Sequence, residues 1–265
     1  MYAIAVVALL AAGCGDNRLD GAAGDDGDGH RGGGDPWRPS GDPSAPAGDD
    51  GRAHDDNPPP VIYDPVVFVH GSGGSADNFA IMIDRLVASG WPRDRLFAST
   101  FESPKWGCNV DNAATIAAEV GNVLAATGAR RVDIVAHSMG SVSSRYYMKN
   151  LGGAAKVGTY VTMGGMHHGL ASPCLSPSGF VCTWDELCET GDFIAALNQP
   201  PVTPGPALWV SMYGGADSTV PNESSQLDGA ENVLFPGVEH ASPNGLLDTE
   251  AVEVEIERVL MYPAW

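Results

Sequence analysis

Lysine and arginine are scarce in this 265-residue chain, which has 14 of them against 33 aspartates and glutamates and therefore a net charge of −19. Proteins that bind nucleic acids neutralise phosphates with clustered basic side chains. An anionic membrane surface would repel a chain of this charge for a related electrostatic reason. The composition therefore excludes nucleic acid as an expected partner.

Long apolar segments are also lacking. The apolar run over residues 3–12 is too short to span a bilayer as a helix, but it has the length of a signal-peptide core. Small residues then precede Cys14, as in a bacterial lipobox, where the cysteine is lipid-modified and becomes the new N-terminus. We expect residues 1–14 to be a signal peptide with a lipobox, and Cys14 to anchor an exported protein to a membrane of the cell envelope. An ordinary secretory signal with a chance cysteine, giving a secreted protein, is the alternative.

Large apolar residues are nearly absent from residues 15–60, where only Leu19 and Trp37 occur among 11 glycines, 11 aspartates and 7 prolines. Such a composition cannot bury enough surface to offset the entropy lost on ordering. We therefore predict a disordered tether over 15–60 and one folded domain over 61–265, which is long enough for a sizeable core. The sequence contains no internal repeat.

Short apolar runs alternate with helical patterns through the predicted domain. Because these runs are apolar on both faces, they indicate an α/β fold with a mostly parallel central sheet and helices on both sides. Parallel sheets place their functional residues at the carboxyl ends of the strands. The predicted strands span residues 65–70, 95–100, 130–138, 156–165, 206–214 and 231–235, and the predicted helices span 76–90, 110–128, 139–150, 184–197 and 245–261.

The most informative of these strand ends is Ala136-His137-Ser138-Met139-Gly140. A serine on a tight turn between a strand and a helix is held exposed and strained, with small neighbours where the two backbones approach. The helix N-terminus behind it provides an unpaired N–H and a favourable dipole for a developing oxyanion. The motif predicts a nucleophilic serine, Ser138. A helix-capping serine in an ordinary turn is the alternative.

A glycine-rich loop, His70-Gly71-Ser72-Gly73-Gly74, follows the first strand. In acyl-transfer hydrolases a loop at this place donates the second backbone N–H of the oxyanion hole, here that of Ser72. The loop lacks the spacing of the glycine motifs that hold phosphates. We expect His70 to hold the loop in place and to have no catalytic role.

A carboxylate and a histidine follow the last two strands. Asp217 lies in Gly214-Gly215-Ala216-Asp217, and His240 follows the final strand. The chain order Ser138, Asp217, His240 is that of α/β-hydrolases, and it differs from the orders in chymotrypsin-like and subtilisin-like enzymes. Glu223 is the alternative acid.

Other candidates receive different predictions. We expect Asp133, inside a strand, to be a structural partner, and Glu239 to be too close to His240 in sequence to orient its ring. His167 and His168 could bind a metal, but without a familiar ligand spacing we expect them to line a pocket or the surface.

These features together resemble the lipase class 2 family, small bacterial lipases and esterases of the α/β-hydrolase fold. The resemblance is strongest in VDIVAHSMG (132–140), RYYMKNLGG (145–153) and residues 214–233. It implies that Ser138 is the nucleophile, Asp217 the acid and His240 the base. It also implies that the N–H groups of Ser72 and Met139 form the oxyanion hole. The segment 166–206 is longer than in the minimal members and is a candidate partial lid.

Four cysteines follow Cys14, and an even number in an exported chain indicates two disulfides. Spacing alone leaves three pairings open. We favour Cys174–Cys182 with Cys108–Cys188, which would brace the long segment 166–206. A zinc site is the alternative, but no C-x-x-C pair is present.

The predicted function is an exported serine carboxylester hydrolase, a monomer without a cofactor. Its expected substrate is a small-molecule or lipid ester, in particular a fatty-acid ester of short to medium chain length, as the resemblance implies. A polyester depolymerase, a thioesterase or an acyltransferase could use the same triad. A surface-tethered binding module without catalytic activity is the alternative from another class.

Overall fold

The computed structural model describes residues 63–103, 105, 107–175 and 181–261. The signal peptide, Cys14 and the tether predicted over 15–60 lie outside the described residues. No helix among the described residues is long and apolar enough to cross a membrane.

The central sheet has six strands in the order β2-β1-β3-β4-β5-β6, and every neighbouring pair is parallel. This confirms the predicted α/β class, because parallel neighbours require crossovers that place helices over the sheet. The strands are β1 (Val66–Val69), β2 (Leu96–Ser99), β3 (Val132–His137), β4 (Val157–Met163), β5 (Leu208–Gly214) and β6 (Glu231–Phe235).

Helices connect the strands along the chain. Longer ones follow β1, β2, β3 and β6, and three shorter ones lie in the connections around β5. The helices are α1 (Ala80–Ala88), α2 (Asn109–Thr127), α3 (Met139–Asn150), α4 (Cys182–Leu187), α5 (Asp192–Leu197), α6 (Asn222–Ser225) and α7 (Glu250–Met261). The helix predicted over 184–197 is thus two short helices, and the closing helix begins five residues later than predicted.

The two faces of the sheet bury separate apolar clusters. In β1, Val66 and Phe68 belong to the cluster that α1 and α7 cover, whereas Val67 and Val69 belong to the cluster under α2 and α3. This is the period-two alternation of a strand buried on both sides. Each such side chain stabilises the fold by about 1.5–3 kcal/mol relative to an exposed one. This burial holds the strands in register and so sets the positions of their carboxyl ends.

The described residues of the segment 166–206 form a cap that packs on α3. Leu187 of α4 with Ile194 and Leu197 of α5 forms an apolar cluster with Met139 and Val142 of α3. The cap therefore contacts the helix turn that directly follows Ser138.

Two disulfides hold the cap, but the predicted pairing is wrong. The bonds are Cys108–Cys182 and Cys174–Cys188, with Cα–Cα distances of 5.2 and 4.7 Å. Cys182 begins α4 beside the start of α2, where Cys108 lies. The other end of α4 returns to Leu170, since the N–H of Leu170 donates to Leu187 O and that of Glu189 to Leu170 O. That return places Cys188 beside Cys174.

The disulfides also argue against the alternative of a zinc site. Among the described residues, one group of three possible metal ligands lies close together, and it consists of Cys108, Cys182 and Glu186. Both sulfurs are in the disulfide, and a metal is bound by thiolates.

Candidate active site

The turn between β3 and α3 has the strained backbone that the sequence predicts. Ser138 has φ 55° and ψ −127°, a conformation that non-glycine residues rarely adopt. Its N–H donates to Met163 O at 2.9 Å, which ties the turn to β4. At Gly140, a Cβ atom would lie 2.4 Å from His70 O, so only glycine lets α3 approach β1 this closely.

The structure brings Ser138, His240 and Asp217 into one hydrogen-bonded chain. The Oγ of Ser138 lies 2.9 Å from Nε2 of His240, and Nδ1 of the same ring lies 2.6 Å from Oδ2 of Asp217. Because a carboxylate can only accept, the ring carries its proton on Nδ1 and leaves Nε2 free to accept from the serine hydroxyl. The Asp217 side chain is fully buried and that of His240 is 10% exposed.

The other oxygen of Asp217 is fixed by its own turn. Oδ1 accepts the N–H groups of Thr219 and Val220, both at 2.8 Å. Burial by itself raises the pKa of this carboxyl, but the hydrogen bond with His240 and the two backbone N–H groups outweigh burial and lower the pKa overall. Asp217 is therefore a charged acceptor held in one orientation.

Close backbone contacts bring together the loops that carry Asp217 and His240. The N–H of Ala216 donates to Val238 O at 3.1 Å, and a Cβ atom at Gly214 would lie 2.2 Å from the same oxygen. The ring of His240 lies over the end of β4, where a Cβ atom at Gly164 would be 2.8 Å from Nδ1. Gly164 has φ +57°, so both its conformation and its space suit glycine.

The predicted oxyanion residues flank the serine. Met139 is the first residue of α3, so its N–H has no acceptor within the helix. Ser72 lies in the glycine loop, and a Cβ atom on the adjacent Gly71 would be 2.7 Å from Cβ of Ser138. The described residues offer neither amide an acceptor.

His70 holds the glycine loop, as expected. Its Nε2 accepts the N–H of Phe101 at 3.0 Å, so the ring proton is on Nδ1 and is donated to Gly71 O at 2.7 Å. Burial lowers the pKa of His70 and favours this neutral form.

The competing carboxylates lie elsewhere. Asp133 is buried in β3, where it accepts the N–H of Thr159 at 2.7 Å and where burial raises its pKa to about 7. Glu223 lies in the first turn of the short helix α6, and the hydrogen bonds of the His240 side chain do not include it. Glu239 contributes its backbone N–H and C=O to the loop that carries His240.

The two neighbouring histidines have different surroundings. His167 is fully buried, with Nε2 3.0 Å from Oγ1 of Thr162, whereas His168 is exposed. Burial keeps the pKa of His167 well below its ordinary value. His167 is thus a core residue, and the expectation of a pocket or surface position holds only for His168.

Sequence reasoning missed two further residues at the site. The Nε2 of His137 lies 2.9 Å from His240 O, and Gly164 lies beneath the His240 ring. Their only sequence signals are the place of His137 beside Ser138 and that of Gly164 at a predicted strand end.

Comparison with known proteins places these features in context. The chain matches the family model described as Lipase (class 2) over residues 63–258. Its fold resembles that of mature lipase BlEst2 from Bacillus licheniformis, with a TM-score of 0.64 and 17% identity over 78% of this chain and 95% of that one. It also resembles phospholipase PlaB from Legionella pneumophila, with a TM-score of 0.61 and 15% identity over 75% of this chain and 60% of that one. For lipase B from Aspergillus fumigatus the TM-score is 0.60, with 14% identity over 76% of this chain and 53% of that one. At these identities the structural likenesses show the shared fold.

Proposed function

This chain belongs to the class 2 lipase family, and from that premise we propose that it is an exported serine carboxylester hydrolase that cleaves fatty-acid esters. The family membership supports a lipolytic hydrolase acting on a lipid ester. The hydrogen-bonded chain from Ser138 through His240 to Asp217 is the observation that carries the finer proposal.

In the proposed reaction, Oγ of Ser138 attacks the ester carbonyl carbon while Nε2 of His240 takes the hydroxyl proton. Asp217 keeps the imidazole in the required tautomer and stabilises the imidazolium that forms. The buried carboxylate suits this role because its low pKa keeps it charged when the base is neutral.

The negative charge that develops on the carbonyl oxygen would be held by the N–H groups of Met139 and Ser72. In other hydrolases, the loss of one such donor costs about 2.7–4 kcal/mol of transition-state stabilisation. When the tetrahedral intermediate collapses, the alcohol leaves with the proton from His240. Water, activated by the same base, then hydrolyses the acyl-enzyme. The proposed cycle uses no cofactor.

Hydrolysis of p-nitrophenyl butyrate by the full chain tests this proposal, with Ser138→Ala as the inactivated variant. Ser89→Ala is the matched control, because Ser89 is an exposed serine after α1. We expect the control to match the wild type and Ser138→Ala to lose about 10⁶-fold in kcat, as for other serine nucleophiles. Equal inactivity of folded wild type and variant would instead favour a non-catalytic binding module.

Related enzymes with the same triad differ in the acyl group or in the acceptor. A thioesterase would prefer the thioester of the same acyl group, a polyester depolymerase would release soluble monomers from a film, and an acyltransferase would favour an added alcohol over water. A comparison of kcat/KM for these substrates with that for p-nitrophenyl esters of rising chain length separates the alternatives.

Export and anchoring are part of the same proposal and depend on residues 1–14 and 15–60. We propose that the signal segment is removed, that Cys14 carries lipid, and that 15–60 links the anchor to the hydrolase domain. Mass spectrometry of the mature N-terminus should then show a lipid adduct on Cys14, and Cys14→Ser should move the protein from the membrane fraction to the soluble fraction. An unmodified cysteine in the mature protein would contradict the anchor.

A further inference from the structure

The residue before the nucleophile contacts the residue proposed as the base. His137 ends β3, and its Nε2 lies 2.9 Å from the main-chain oxygen of His240. The two rings are also neighbours, with centroids 4.7 Å apart and planes inclined by 42°. His137 is 6% exposed, so water hardly competes for this contact.

The direction of this hydrogen bond is fixed. A carbonyl oxygen only accepts, so Nε2 of His137 must carry a proton and donate it. Burial, with a further effect from the neighbouring His240, lowers the pKa of His137 to about 3. The ring is therefore neutral in the range where esterases work, and its single proton is committed to the His240 carbonyl.

We propose that His137 is a positioning residue for the base, and that its hydrogen bond fixes the main chain of His240 relative to the strand that carries Ser138. This inference rests on the proposed function, in which His240 takes the proton of Ser138. Because His137 and Ser138 are consecutive in the chain, the bond ties the base loop directly to the nucleophile turn.

The remaining contacts of the base loop show why such a link matters. The N–H of Glu239 donates to Asn244 O, and that of Leu246 donates to Glu239 O, so these bonds close the loop on itself. The bond from Ala216 to Val238 joins it to the loop of Asp217. These contacts position the loop of His240 relative to that of Asp217. Within the described residues, the His137 bond is the one that joins the main chain of this loop to β3.

The side-chain contacts alone would leave the distance between base and nucleophile less defined. Two strands, β4 and β5, separate β3 from β6, which leads into the His240 loop. A hydrogen bond between side chains can persist while the loop shifts, whereas proton transfer needs a narrow range of distance and angle. Losing the main-chain link should therefore lower the rate of the chemical step more than substrate binding.

The test compares two variants that differ in the hydrogen-bond donor. His137→Phe keeps an aromatic ring but has no donor. His137→Gln can place an amide N–H near the position of Nε2. His168→Gln is the control for the same substitution at an exposed histidine outside the proposed machinery. Each is measured in the full chain with p-nitrophenyl butyrate, together with the wild type, Ser138→Ala and a thermal unfolding curve.

We expect His137→Phe to lose about 10²-fold in kcat with KM close to that of the wild type, the size of effect that follows a misplacement of about 1 Å. His137→Gln should recover most of this loss, and His168→Gln should match the wild type. If His137→Phe does not fold, His137→Asn replaces it, since its shorter side chain carries the donor away from the Nε2 position.

Wild-type kcat in folded His137→Phe would overturn the inference. Equal losses in His137→Phe and His137→Gln would overturn it as well, because the donor would then not be the feature that matters. If the wild type shows no hydrolysis dependent on Ser138, the proposed function itself fails, and this result is distinct from the other two.

Discussion

Replacement of Asp217 by asparagine should nearly abolish activity while it leaves the fold intact. The substitution is isosteric, and its effect depends on which way the new amide faces. Oδ1 of Asp217 accepts the N–H groups of both Thr219 and Val220 at 2.8 Å. In Asp217→Asn the amide oxygen must keep that place, because an NH₂ group there would face two other donors. The NH₂ group is then forced toward Nδ1 of His240.

A donor at this position reverses the tautomer of the base. Nδ1 of His240 would have to accept, so the ring proton would move to Nε2 and face Ser138, where it blocks proton transfer. In a serine protease the same substitution lowers kcat by about 10⁴-fold, which corresponds to about 5.5 kcal/mol of barrier. We expect a loss of this size here, because the two N–H donors leave the amide no productive orientation.

The assay is the kcat for p-nitrophenyl butyrate, with the melting temperature as evidence of folding. Glu223→Gln is the matched control, since it removes the alternative carboxylate of the same region and should leave kcat unchanged. The reasoning would be refuted if folded Asp217→Asn kept more than about one hundredth of the wild-type kcat, well above the expected residual. It would also be refuted if Glu223→Gln lost as much activity as Asp217→Asn.

Two further predictions concern stability. Burial raises the pKa of Asp133 to about 7 from an ordinary 3.8, so its contribution to stability is fully present below about pH 4 and is lost as the pH rises to about 7. Relative to Asp133→Asn, the wild type should therefore lose roughly 3 kcal/mol of unfolding free energy between pH 5 and pH 8, as measured by urea titrations. If the difference in unfolding free energy between the two proteins did not change with pH, the interpretation of Asp133 as a buried acid would be wrong. The disulfides Cys108–Cys182 and Cys174–Cys188 span 74 and 14 residues. Loop-closure entropy then predicts that replacing both cysteines of the first bond by serine lowers the unfolding free energy by about 4.5 kcal/mol, and that the same change in the second bond lowers it by about 3 kcal/mol. A larger loss for the second bond in denaturant melts would show that native-state effects dominate.

Most residues of the candidate site could be found in the sequence because their signals are local. Ser138 lies in a short motif whose small residues are needed wherever a strand turns sharply into a helix. Asp217 and His240 each follow an apolar strand, and parallel strands bring their carboxyl ends to one edge of the sheet. The fold class followed from such apolar strands, and the structure buries β1, β3, β4 and nearly all of β5, whereas three of the five residues of the edge strand β6 are exposed.

The errors lie where local signals are weak. The cap has little periodicity, and the path of its chain decides which cysteines meet; Cys182 reaches Cys108 because α4 begins beside the start of α2. His167 gave no sign in the sequence that it would be buried against Thr162. The contact of His137 with the main chain of His240 joins residues 103 positions apart, and no spacing rule predicts it.

By itself, the sequence determined the order of the strands and of the longer helices, the strained serine turn, and the carboxylate and histidine that follow later strands. These are properties of short segments, set by apolar patterning and by the few residues that a tight turn admits. Only the tertiary structure decided the distances of 2.9 and 2.6 Å that join the three side chains, the disulfide partners, and the link from His137 to His240. Each of these depends on how loops distant in the chain pack together, and packing is a property of the whole core.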